Sequence, residues 1–128
     1  MKTAYKVVSV YAGRYFSSQM YFNDYLIYVN TGLKPWYFVE YKIGQKTCAS
    51  NDAPDDNKDL FIYENAEQAI YDASVYSRPN KPLEAFECQV DRVDQISRCI
   101  FNRVRHIVDI SNFCSEITLT KKLEKLKL

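Results

Sequence analysis

The chain lacks the spacings on which most catalytic and metal chemistry depends. Its four cysteines, Cys48, Cys88, Cys99 and Cys114, contain no C-x-x-C pair of the kind structural zinc usually requires. There is one histidine, His106, with no nucleophile or orienting carboxylate at a recognisable spacing, so a triad is not indicated. A dominant charge is also missing: 17 Lys and Arg meet 16 Asp and Glu for a net +1, so no global field draws the chain to nucleic acid or an anionic membrane. No apolar run approaches the length that spans a bilayer, and there are no internal repeats. The opening MKTAYKVVSVYAGRYFSS is broken by Lys6, Ser9 and Arg14 and does not read as a signal peptide. A cytoplasmic protein is therefore expected, its cysteines reduced and acting as small core hydrophobes, with no cofactor and no metal.

What is present suits an ordinary globular domain. The 128 residues, 47% apolar and 26% charged, are enough to bury one core, so residues 1–128 read as a single domain. From Ala4 to Tyr11 aromatic and β-branched residues alternate as a strand, and Ala12-Gly13 supplies a turn. Arg14 to Phe22 reads as the returning strand. Asp24 to Val29 is a short apolar run closed by Asn30-Thr31-Gly32, and after Pro35 the residues from Trp36 to Ile43 complete a second hairpin. Tyr37, Val39, Tyr41 and Ile43 are its expected core face.

Residues from Thr47 to Lys58 are polar and acidic and read as a loop. Asp59 to Tyr63 is a strand. The period then changes: Ala66, Ala69, Ile70, Ala73 and Tyr76 fall three and four apart, predicting a helix over 65–77, with Asn65 as N-cap, Gln68 completing a capping box and Pro79 beyond its end. Leu83 to Val90 reads as a strand with Phe86, Cys88 and Val90 on one face, and Cys99 to Ile110 as one long strand. At the end, Leu119, Leu123 and Leu126 suit a helix while Ile117 to Thr120 suit a strand; the expectation favours a C-terminal helix. The predicted class is α+β, a mostly antiparallel, strand-rich sheet.

Several constellations invite a functional reading. Asp55, Asn57 and Asp59 match the first three ligand positions of an EF-hand, but Leu60 and Ala66 stand where its glycine and bidentate glutamate belong, so a solvated acidic loop is expected. Arg103 and Arg105 share a strand face, with Arg98 nearby, and form an anion-binding candidate. The lysine-rich tail KKLEKLKL reads as a frayed helix end whose lysines complement the helix dipole and whose leucines pack locally. The most unusual feature is aromatic: 12 of the 19 aromatic residues lie in the first 41 positions. Both faces of the early strands carry rings, and one predicted helix cannot cover both. Part of the set, represented by Trp36, Phe38, Tyr15 and Tyr21, is therefore expected to form a partner surface or a homodimer interface.

Val39-Glu40-Tyr41-Lys42-Ile43-Gly44, the run from Leu60 to Ala69, and Phe86-Glu87-Cys88-Gln89-Val90 together resemble a pattern in small uncharacterised bacteriophage and bacterial proteins. The resemblance covers about half the chain. It implies a non-catalytic accessory protein, such as an anti-defence inhibitor that binds a host protein stoichiometrically. The order of elements also resembles the ADP-ribosyltransferase fold, which would put Glu84 or Glu87 nearest a catalytic glutamate. The chain has neither the Glu-x-Glu pair nor the Ser-Thr-Ser element of those enzymes, so no catalytic residue is carried over. The alternative expectation is a nucleotide-binding domain in which Arg103 or Arg105 engages phosphate and tyrosines stack the base; nucleic acid and membrane are not expected partners.

Overall fold

Alternating β-branched and aromatic residues carry Lys2–Tyr11 (β1) through the centre of the molecule. The computed structural model describes residues 1–35, 37–49, 60–101 and 106–126. In chain order there follow Arg14–Ser17 (β2), Phe22–Thr31 (α1), Glu40–Tyr41 (β3), Lys46–Cys48 (β4), Leu60–Ile62 (β5), Ala66–Val75 (α2), Leu83–Val90 (β6), Asp94–Phe101 (β7), His106–Cys114 (β8) and Glu116–Lys122 (β9). Six strands form an antiparallel sheet in the order β3-β2-β1-β6-β9-β4, and β5-β8-β7 form a smaller antiparallel sheet. The fold is α+β and strand-rich.

The two faces of β1 are both buried, because strand side chains alternate and each face has its own cover. On one face Ala4 and Val8, with Phe86, Cys88, Ile117 and Leu119, meet Leu60, Ile62 and Cys114 of the small sheet. On the other, Val7, Leu83 and Ala85 pack on Ala69 and Ala73 of α2, and Tyr11 and Phe16 pack under α1. Each wholly buried Phe, Ile or Leu in these layers contributes roughly 1.5–3 kcal/mol from burial. Alanines at 69 and 73 let α2 lie close to the sheet. Asn65 caps that helix, its Oδ1 accepting from the backbone N–H of Glu67 and Gln68.

A sharp corner joins the sheets. β8 ends at Cys114 and β9 starts at Glu116, so the chain passes from the small sheet to the large one through Ser115 alone. Asp91 Oδ1 accepts from the N–H of both Ser115 and Glu116, at 3.0 and 2.9 Å, which satisfies the donors that the corner frees.

The structure corrects several expectations. Asp24 to Val29 is not a hairpin strand but the body of α1. Tyr21 N–H donates to Asp24 Oδ2 at its start, and Gly32 at φ 74° closes its end, donating to the Tyr28 carbonyl. Asn30-Thr31-Gly32 is thus a helix terminus, where glycine takes the left-handed conformation. β2 stops at Ser17, and the fourth expected strand shrinks to β3. Val39 and Tyr41 of its expected core face are buried, but Ile43 is exposed. Gln68 completes no capping box; its amide donates to Asp72 Oδ1 one turn on. The single strand expected from Cys99 to Ile110 is instead two, β7 and β8, with Phe101 opposite His106. The C-terminal helix is replaced by β9, because Ile117 and Leu119 fill the slot beside Val90 and Cys88. Asp55, Asn57 and Asp59 lie outside the described residues, as does most of the expected acidic loop; Thr47 and Cys48 belong to β4.

Candidate interaction surface

The aromatic excess of the first third resolves into a lobe built around α1. Tyr11 and Phe16 leave the sheet on the same face, and Tyr25 of α1 stacks on Tyr11 at 5.5 Å and lies 5.7 Å from Phe16. Phe38 completes the lobe, edge-on to Phe16 at 5.6 Å and 4.7 Å from Tyr28. Polar groups fix the parts. Tyr11 Oη donates to the Met20 carbonyl at 2.5 Å, and burial pushes its hydroxyl up to about 12. Tyr37 Oη donates to Asp24 Oδ1 at 3.0 Å. The Arg14 guanidinium forms two parallel bonds to Glu40, at 2.9 and 2.8 Å, over the rings of Phe16 and Tyr28. That pairing holds the Glu40 carboxyl below its ordinary range.

These contacts use mainly one side of α1, and Phe22 at its start also reaches the lobe, its ring 5.9 Å from Tyr11. None of its ten residues is fully buried. Tyr21, Phe22, Leu26, Ile27, Val29 and Leu33 each leave between 36% and 66% of their surface exposed. Phe22, Leu26 and Val29 stand four and three residues apart along one stripe, continued by Leu33 just past the cap. The exposed polar residues within α1, Asn23, Asn30 and Thr31, are uncharged, while Lys34 and Lys81 flank the helix, over the rings of Tyr28, Phe38 and Tyr21. The one charge within α1, Asp24, is engaged by Tyr21 N–H and Tyr37 Oη.

The four aromatic residues singled out from the sequence part company here. Tyr21 is exposed at the start of α1, with the Lys81 ammonium 4.5 Å above its ring. Phe38 is half-buried within the lobe. Tyr15 lies on the opposite face of β2, edge-on to Phe86 at 4.9 Å, and packs against the core between the sheets. Trp36 lies outside the described residues, as do Arg103 and Arg105. Leu26, Ile27, Val29 and Leu33 stand in a run that reads as a strand; the 4-3-4 spacing of Phe22, Leu26, Val29 and Leu33 is the helical signal within it.

Elsewhere the chemistry is internal. Lys6 is buried between the sheets, its ammonium donating to the Phe61 carbonyl and lying over the rings of Tyr41 and Phe61. Burial pulls this amine down to about 8 and pushes the neighbouring Cys88 and Cys114 thiols up to about 12. Tyr41 Oη is buried there without a hydrogen-bond partner. A cleft of about 320 Å³ lies where β5, the start of α2 and β8 meet, lined in part by Phe61, Tyr63, Glu64, Asp72 and Asn112. Tyr63 Oη donates to Asp72 Oδ2 at 2.6 Å within it. Glu84 is taken up by Lys122 and Lys125, at 3.6 and 3.9 Å. Among the described residues no His, Cys, Asp and Glu cluster could hold a metal, and no helix is long and apolar enough to cross a membrane. No family model, curated protein or solved structure matches the chain.

Proposed function

We propose that this chain is a small non-catalytic binding protein that acts by stoichiometric protein contact, in the manner of a phage-type accessory or anti-defence inhibitor. One observation carries the reading: α1 is anchored mainly by one side while its other side offers a contiguous apolar stripe to solvent. Monomeric proteins rarely leave a large apolar patch uncovered unless something binds it. The anchoring lobe of stacked rings and the Arg14–Glu40 pair fixes the helix, so little ordering cost falls on binding. The accessory role rests on the resemblance in the segments from Val39 to Val90.

A nucleotide ligand is less well supported. The cleft beside α2 is lined by the carboxylates Glu64 and Asp72 and, among the described residues, by no cationic side chain. The test is affinity capture from a bacterial host lysate, comparing the full chain with Leu26→Glu. A partner held at constant stoichiometry by the first and lost from the second is the expected result. Equal capture by both, or none by either, would refute the reading, and stabilisation of the chain by a nucleotide in a thermal-shift screen would favour the alternative.

A further inference from the structure

We draw no further inference here: the strongest candidate, the cleft where β5, the start of α2 and β8 meet, is marked only by the carboxylates of Glu64 and Asp72, of which Asp72 is already taken up by the Tyr63 hydroxyl and the Gln68 amide, and nothing else among its described lining residues points to a ligand.

Discussion

Replacing Lys6 by Met should stabilise the protein, and by an amount that depends on pH in a calculable way. Folding lowers the amine from 10.5 to about 8, chiefly by burial. Below pH 8 the fold must carry a buried ammonium that the unfolded chain solvates freely. At about 1.4 kcal/mol per pKa unit, this costs about 3 kcal/mol at neutral pH. Between pH 8 and 10.5 the folded amine is neutral while the unfolded one is still protonated, so the unfolded state binds more protons and stability rises with pH. From pH 7 to pH 9 the gain from this group is about 1 kcal/mol. Cys88 and Cys114 act in the opposite sense. Their thiols rise from 9.0 to about 12, so the stability they lend is present below pH 9 and is lost progressively above it. That loss is common to both proteins and cancels when they are compared. Methionine also leaves the Phe61 carbonyl without its donor, which offsets about 1 kcal/mol of the gain. Lys6→Met should therefore exceed the native chain by about 2 kcal/mol at pH 7, with the gap narrowing by about 1 kcal/mol at pH 9. Urea denaturation of both proteins at the two pH values measures this directly. A gap that does not change with pH, or a loss of stability at pH 7, would show that the ammonium is solvated or paired within the fold and refute the reasoning.

Three further substitutions test other parts of the structure. Tyr41→Phe removes a buried hydroxyl that has no partner and keeps the ring beneath Lys6, so the thermal midpoint should rise, by about 1 kcal/mol of stability. Ala12 holds φ 51° next to Gly13 in the turn joining β1 and β2; Ala12→Asn supplies the residue that this conformation favours and should add about 0.5–1 kcal/mol in chemical denaturation, without change in the spectrum of the fold. Asn65→Ala strips the cap from two N–H groups of α2 and should cost about 1 kcal/mol, while Asn65→Ser should recover most of it.

Much of the architecture could be read from residues whose pattern and flanks agree. β6 begins and ends where expected because Phe86, Cys88 and Val90 alternate against Glu87 and Gln89. α2 was legible because alanines at helical spacing follow a capping asparagine. The helix α1 was not, since Asn-Thr-Gly ends a helix as readily as it turns a hairpin and the tyrosines and valine between favour strands. The reversal between Phe101 and His106 was hidden for a different reason: the connecting Asn-Arg-Val-Arg contains neither glycine nor proline. At the C-terminus leucine spacing competed with β-branched residues, and the open edge of β6 decided it, which only tertiary contacts reveal. The aromatic wealth of the first third was visible, but not its division. Tyr11, Phe16, Tyr25, Tyr37 and Phe38 pack around a helix, while Tyr21, Phe22 and the aliphatic side chains on the outside of that helix reach solvent.

The corner at Ser115 has a mechanical consequence. With a single residue between β8 and β9, and Asp91 clamping the amides on either side, there is no slack by which one sheet could slide or peel while the other stays intact. Pulling the small sheet away would drag β9 out of the gap between β6 and β4, opening the slab from its middle. The amides of β5, β6 and β9 should accordingly exchange with deuterium together, at the rate of whole-molecule unfolding, so that the protein breathes as one body.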